Sequence, residues 1–391
     1  MIKMVDLYSQ YLSMRKEIDS AIMGVVASSD FIKGTEVALL EEELAEYIGV
    51  RHCITCGNGT DALILSLMAM DLMPGDEVIV PSFAFASIVE AVLLLGGVPV
   101  FTDVDNTTFN IDVKSVERVI SDRTKAIVPV HLFGQPCNML ELMEISRSHK
   151  IVVIEDNAQS FGALCRMESG KEIYAGGIGD ISYTSFFPTK MLGCYGDGGA
   201  VFTNNDILAK RVRELSNHGQ CYKYMHEMIG FNSRLDTMQA AVLRVKLKHL
   251  SQSIRGRRML AEHYSKLLSD IEDIELPVEV NYGKHVYHQY TIKTKPSMRD
   301  DLKEMLMSRG IQSMVYYPMP LFEQPAYCGK GLCDPEMNIC PSLCKSVLSL
   351  PMYGELTYGQ QDEIAYAVKA YFNNHNVYKS LLIHIFIPLL L

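Results

Sequence analysis

No stretch of this sequence reaches the ~18–20 consecutive apolar residues that a bilayer-crossing helix requires, so no membrane span is expected. Residues Met1-Ile2-Lys3-Met4-Val5-Asp6 lack the apolar core of a signal peptide, and a cytoplasmic location is expected. Basic charge is scarce: 36 Lys and Arg stand against 46 Asp and Glu, a net charge of −10. That balance argues against general nucleic-acid binding, which rests on a basic face. It leaves room for a small anion, because a helix N-terminus and a few placed cations can bind one inside an acidic protein. The 10 cysteines are too few and too scattered over 391 residues for a disulfide scaffold. Tryptophan is absent, which says nothing about function, and the chain carries neither an internal repeat nor a low-complexity linker.

What is present is a large apolar content, 48 % against 21 % charged residues, enough to bury a sizeable core. Val37, Leu40, Leu44 and Ile48 recur at helical spacing and Gly49 stops them. Short apolar runs follow at 53–56, 77–80, 98–101, 125–130 and 151–154, each read as a buried strand. Helical patterns at 62–70, 87–95 and 138–149 lie between them. Such alternation predicts an α/β fold built of βαβ units around a mainly parallel sheet. Ligands of such sheets sit beyond the carboxyl ends of the strands, here 57–61, 81–87, 131–135, 155–159 and 185–190. From about residue 236 the pattern changes to a long, charged, interrupted helical stretch (236–269), a strand near 287–292, a helix at 299–309 and a last helix near 359–373. The expected division is a large α/β domain over 1–250, a small α+β domain over 251–378, and an apolar tail, 379–391, outside the fold.

Three segments carry chemistry. In Ser185-Phe186-Phe187-Pro188-Thr189-Lys190-Met191-Leu192-Gly193-Cys194-Tyr195-Gly196-Asp197-Gly198-Gly199-Ala200, one lysine sits among apolar residues ahead of a glycine-rich run. Apolar surroundings lower an amine pKa, which a Schiff-base lysine needs. Read alone, Lys190 is equally an ordinary surface lysine beside a loop. Asp156, in Glu155-Asp156-Asn157-Ala158-Gln159, should end a strand, where a carboxylate can pair with a pyridinium nitrogen. A helix N-cap is the plain alternative. Gln159 is placed to hydrogen-bond a ring hydroxyl. Gly57-Asn58-Gly59-Thr60-Asp61 lies between strand and helix, where backbone N–H groups cradle phosphate, and Ser185 offers a second hydroxyl. This turn matches neither the Walker nor the dinucleotide fingerprint. Cys53-x-x-Cys56 reads as core, His131 as core packing, and Cys328, Cys333, Cys340 and Cys344 lack the paired spacing of a zinc site, so no metal is expected.

Together these segments stand in the chain order of a fold type I pyridoxal-phosphate transferase, the aspartate aminotransferase-like architecture. Over about residues 1–373 the sequence resembles the DegT/StrS group of sugar-nucleotide aminotransferases, most specifically at 156–162, 185–200 and 230–241. The resemblance implies pyridoxal 5'-phosphate as cofactor, with Lys190 in the internal aldimine, Asp156 on the pyridinium and Gln159 on the ring oxygen. Gly59, Thr60 and Ser185 would bind the phosphate, and Phe85 would stack on the ring. Asn232 would reach the phosphate of a neighbouring subunit, implying a homodimer with shared sites. The stretch 185–200, His218-Gly219-Gln220 and 232–243 are most similar to enzymes that aminate C3 of UDP-2-acetamido-2-deoxy-3-oxo-glucuronate with L-glutamate as donor, for cell-surface polysaccharide. There the arginine matching Arg234 faces substrate carboxylates, with a structural salt bridge as its plain alternative. Tyr316 and Tyr317 are assigned to the substrate side. Phe322, Tyr353 and Met191 depart from residues common in the family, namely histidine, histidine, and Asn or Pro. Lys190 itself argues against a related dehydrating branch that has histidine there. Two rival expectations are amination at C4 of a 4-keto-6-deoxy sugar nucleotide and a non-catalytic pyridoxal-phosphate-binding regulator.

Overall fold

Alternating apolar strands and amphipathic helices build an eight-stranded sheet in the computed structural model, which describes residues 1–386, with side chains through 373. Across it run His52–Cys56, Gly199–Thr203, Ile181–Ser185, Val152–Asp156, Thr124–Ile127, Glu77–Pro81, Val98–Thr102 and Leu332–Cys333. Gly199–Thr203 opposes both its neighbours, and the remaining pairs are parallel. The mainly parallel sheet expected from the alternation is therefore present. The carboxyl ends of His52–Cys56, Ile181–Ser185 and Val152–Asp156 all lie on one edge.

Both faces are covered, as the continuous apolar runs require. Successive strand residues point to opposite faces. Val78, Val80 and Val201 pack with Leu63, Val89 and Val212 of the helices Gly59–Ala69, Ser87–Leu94 and Asp206–Leu215. Ile79, Ala200 and Phe202 pack with Leu40, Leu142 and Leu243 of the helices Thr35–Ile48, Met139–His149 and Thr237–Leu268. Gly49 ends Thr35–Ile48 at φ 84°, a left-handed conformation that costs glycine little.

The expected interruption in the long helix is not found: Thr237–Leu268 is continuous over 32 residues. Gly256 lowers its propensity locally. Tertiary anchoring overrides that cost, because the adjacent, buried Arg257 donates to the carbonyls of Tyr287 (3.2 Å) and Met352 (3.0 Å). The helix Leu7–Ser28, which the hydrophobic pattern did not disclose, lays Met14 and Ile18 against Val242 and Val245 of the long helix. A second, antiparallel sheet joins Ile274–Glu275, Tyr290–Thr294 and Val347–Leu350. Helices Pro296–Ser308 and Tyr358–Phe386 supply its core partners Leu302, Ile364 and Phe372. The 250/251 division falls inside the long helix, and Leu332–Cys333 returns to the large sheet. The last helix carries its backbone to Phe386, into the 379–391 segment; residues 387–391 lie outside the described residues.

Leu44 is fully buried between Thr35–Ile48 and the sheet, so Leu44→Ala removes that packing and leaves a cavity. The expected loss is about 2–5 kcal/mol, read as a lower urea midpoint at unchanged slope.

Candidate active site

Asp156 closes the strand Val152–Asp156 and is fixed from both sides. Its N–H donates to the Pro129 carbonyl (2.9 Å), and its carbonyl accepts the His131 N–H (3.2 Å). The side chain is buried, with Oδ2 accepting the Tyr183 hydroxyl (2.6 Å) and Oδ1 the Ala158 N–H (2.8 Å). Residues 158–162 form a turn, so Asp156 caps no helix. Burial raises its carboxyl pKa, while the Tyr183 hydroxyl, the Ala158 N–H and the charge of Lys190 pull it back down. Such a carboxylate has an open affinity for a further cationic N–H. Tyr183 was not singled out from the sequence; its place two residues before Ser185, on the strand beside Asp156, is the signal that was there to read.

Lys190 faces that carboxylate from the neighbouring loop. The loop is a tight turn, with Lys190 N–H on the Phe187 carbonyl (2.8 Å) and Cys194 N–H on the Phe186 carbonyl (2.8 Å). A Cβ at Gly193 would stand 2.5 Å from the Pro188 carbonyl oxygen, so the turn tolerates only glycine there. Desolvation lowers the Lys190 pKa and Asp156 opposes it. The amine therefore deprotonates more readily than an ordinary lysine.

At the next strand ends a cradle forms. Asn58 accepts the Asp61 N–H (2.8 Å) and caps the helix Gly59–Ala69, whose positive end points outward at Gly59 and Thr60. The Ser233 hydroxyl accepts the Gly57 N–H (2.9 Å) and donates to Asp61 (2.6 Å), tying the turn down. A Cβ on Gly59 would lie 2.7 Å from the Ser185 Cβ, so glycine is what lets the two meet. The Ser185 oxygen accepts the Phe187 N–H (3.2 Å) and keeps its own proton for an acceptor. Backbone N–H groups and one hydroxyl at a helix N-terminus suit a phosphate.

Gln159 is buried, its Oε1 accepting the Phe133 N–H (2.9 Å) and its Nε2 donating to the Tyr317 hydroxyl (3.2 Å). One Nε2 proton remains. Tyr317 leans on Phe85 (centroids 6.5 Å) and Tyr316 (5.9 Å), and Phe85 is 59 % exposed, open to a ring laid on it. Lys190, Asp156, Gln159, Tyr317 and Phe85 thus form one wall-to-wall arrangement, with the Gly59–Ser185 cradle on the same edge of the sheet.

Asn232 and Arg234 are not drawn into it. Asn232 is exposed, and its backbone bridges Asn217. Arg234 donates to the Asn217 side chain (3.2 Å) and lines a separate hollow with Lys33, Arg213 and Glu41. Burial, then Arg234 and Arg213, lower the Lys33 pKa, which marks an excess of positive charge there. Arg213 is answered by Glu41 (2.8 Å). Cys53 and Cys56 are buried, as the core reading held. Cys340 and Cys344 are buried but Cys328 and Cys333 exposed, and among the described residues no three His, Cys, Asp or Glu side chains are grouped to hold a metal ion. No helix among them is long and apolar enough to cross a membrane.

Behind the site stands a pair that packing alone does not describe. His131 and Glu155 are fully buried. The Cys137 N–H donates to His131 Nδ1 (3.0 Å), so the proton sits on Nε2 and is given to Glu155 (3.0 Å). Glu155 also accepts the N–H groups of Gly176, Ile178 and Gly179. Burial pushes its carboxyl up, yet His131 and these N–H groups outweigh burial and hold it below the usual range.

The family model described as the DegT/DnrJ/EryC1/StrS aminotransferase family matches residues 12–369. A UDP-N-acetyl-3-dehydro-alpha-D-glucosamine 3-aminotransferase of Acidithiobacillus ferrooxidans is 41 % identical over 94 % of this chain and 97 % of its own. The UDP-2-acetamido-2-deoxy-3-oxo-D-glucuronate aminotransferase of Pseudomonas aeruginosa is 41 % identical over 90 % and 95 %. A pleiotropic regulatory protein of Geobacillus stearothermophilus is 42 % identical over 95 % and 99 %. Among solved structures, NtdA of Bacillus subtilis with bound cofactor PMP superposes with a TM-score of 0.84, at 32 % identity over 92 % of this chain and 82 % of that one.

Because the folded-state pKa of Glu155 is depressed, its contribution to stability is present above the unfolded value of about 4.3 and fades as pH falls through the folded value. Glu155→Gln should lower stability at pH 7 by about 2–3 kcal/mol and flatten the acid limb of Tm against pH. An unchanged acid limb would contradict the pair.

Proposed function

The chain belongs to the DegT/DnrJ/EryC1/StrS aminotransferase family, and from that premise we propose that it transfers the amino group of L-glutamate to a keto-sugar nucleotide, using pyridoxal 5'-phosphate. The observation that carries this reading is the meeting of a buried carboxylate, Asp156, with the depressed amine of Lys190 at the strand ends that also present the Gly59–Ser185 cradle. When bound, the cofactor supplies an aldehyde that condenses with amines and a protonated ring that draws electrons from the substrate Cα–H bond. Asp156 holds the proton on the ring nitrogen, and its burial makes that charge pair strong. The free Nε2 proton of Gln159 would meet the ring oxygen, Phe85 would cover one face of the ring, and Gly59, Thr60 and Ser185 would hold the phosphate. The Lys190 Nζ, whose pKa desolvation lowers, would serve as the base that takes the substrate α-proton and as the acid that returns it.

For the acceptor, both 3-keto relatives support C3 of a UDP-sugar. Lys33, Arg213 and Arg234, with Glu41 the one carboxylate lining their hollow among the described residues, favour one that carries a carboxylate, namely UDP-2-acetamido-2-deoxy-3-oxo-glucuronate. The product would enter polysaccharide assembly in the cytoplasm. Exposed Asn232, outside its own chain's cradle, suits a homodimer in which it completes the partner's phosphate site. The regulatory relative keeps a second reading in play, a cofactor-binding regulator without turnover.

Addition of pyridoxal 5'-phosphate should give a visible band that L-glutamate bleaches, with one 2-oxoglutarate released per site. Lys190→Ala should lose the band and the response. Persistence of both in Lys190→Ala would sink the assignment, and a band that glutamate leaves unchanged would favour the regulator. Glutamate-treated enzyme should regain the band with 3-keto UDP-sugars; recovery with 4-keto sugars alone would move the reaction to C4.

A further inference from the structure

The loop that carries Lys190 is gripped from outside the site by two side chains of the long helix Thr237–Leu268. Gln239 accepts the Tyr195 N–H (2.8 Å) and donates back to the Tyr195 carbonyl (3.3 Å). Lys246, two helical turns on, donates from Nζ to the Gly193 carbonyl at 2.6 Å. The same ammonium lies 4.4 Å from the centroid of the Tyr195 ring. Lys246 is only 6 % exposed, and among the described residues no carboxylate is in ion-pair contact with it, Glu355 acting on it from a longer distance. It lines a cleft of about 470 Å³ together with Met14, Met191, His249 and Glu355. A buried, unpaired ammonium is costly, and a surface lysine would serve packing equally well. The cost is met here by one carbonyl and one aromatic face, both belonging to the Lys190 loop.

We propose that Lys246 is a positioning residue for the transamination reaction: by holding the Gly193 carbonyl and the Tyr195 ring it fixes the turn 187–193 and so aims the Lys190 amine. This rests on the aminotransferase reading given above. Gly193 lies three residues past Lys190, in a turn already closed by the Lys190 N–H on the Phe187 carbonyl, so a shift at Gly193 is passed to Lys190. A displacement of ~1 Å at a reacting amine suffices to slow chemistry on the order of 10²-fold.

The grip is also sensitive to pH. Burial lowers the Lys246 pKa to about 8, with Cys194 and Glu355 opposing. The groups that face it are Cys194 and Tyr195 on the loop, Glu355 on the 353–357 segment, and His249 on its own helix; Tyr11 of the N-terminal helix packs behind the Tyr195 ring. The Cys194 thiol, at about 11, and the Tyr195 phenol, at about 12, stay neutral through that range. Above pH ~8 the neutral amine loses its attraction to the ring and weakens its bond to Gly193.

The test compares wild type, Lys246→Met and Lys246→Arg by stopped flow, following the bleaching of the cofactor band by L-glutamate across pH 6.5–9.5, with cofactor affinity and Tm measured on each. Wild-type bleaching by itself tests the aminotransferase reading, independently of Lys246. Lys246→Met should bind cofactor within about threefold of wild type but bleach on the order of tenfold more slowly. Lys246→Arg should recover most of the rate and lose the alkaline inflection near 8, because a guanidinium does not titrate there. A folded Lys246→Met that bleaches at the wild-type rate would overturn the proposal. So would a Lys246→Arg profile that keeps the wild-type inflection. If Lys246→Met fails to fold, the Lys246→Arg profile alone decides.

Discussion

A buried carboxylate and a partly buried amine oppose each other at the strand ends, and the rest of the site is arranged around that opposition. Burial disfavours both charges, raising the pKa of Asp156 and lowering that of Lys190, while each charge favours the other. Two desolvated ionisable groups in such balance need surroundings that hold them in place. The backbone of Asp156 is hydrogen-bonded on both sides, its side chain takes the Tyr183 hydroxyl, and the strand next to it carries the Ser185 half of the phosphate cradle. The charge pattern needed for cofactor chemistry thus comes from adjacent parallel strands whose register places Asp156 opposite Tyr183.

The acidity of the whole chain fits this plan. On the proposed reading, anionic groups would be met locally, at the N-terminus of Gly59–Ala69 and at the Lys33–Arg213–Arg234 hollow, rather than by a basic surface.

Much of this was legible in the sequence because local rules and the global fold agree. The strand runs at 77–80, 98–101 and 151–154 and the helices between them fall where their periodicity put them, since a doubly covered parallel sheet demands uninterrupted apolar strands. Asp156, Gln159, Ser185 and Lys190 stood out because they follow such strands. What escaped notice depends on contacts distant in sequence. Tyr183 reads as one more apolar strand residue until its partner strand is known. His131 and Glu155 are 24 residues apart, and nothing local shows that they meet. The reversed strand Gly199–Thr203 hides within the glycine run, where close approach to Asn58 rather than side-chain pattern sets the structure. The interruption expected within 236–269 is absent, and the buried Arg257, held on the Met352 carbonyl, packs the helix at that point.

The charge of Asp156 is the centre of this account, and its most direct measurement is Asp156→Asn. The variant keeps the size and two-sided backbone anchorage but cannot hold a proton on the cofactor ring. Cofactor addition should still produce the Lys190 band, while bleaching by L-glutamate should slow on the order of 10²–10⁴-fold, the range of an acid–base contribution. Bleaching by Asp156→Asn within a few-fold of the wild-type rate would contradict it.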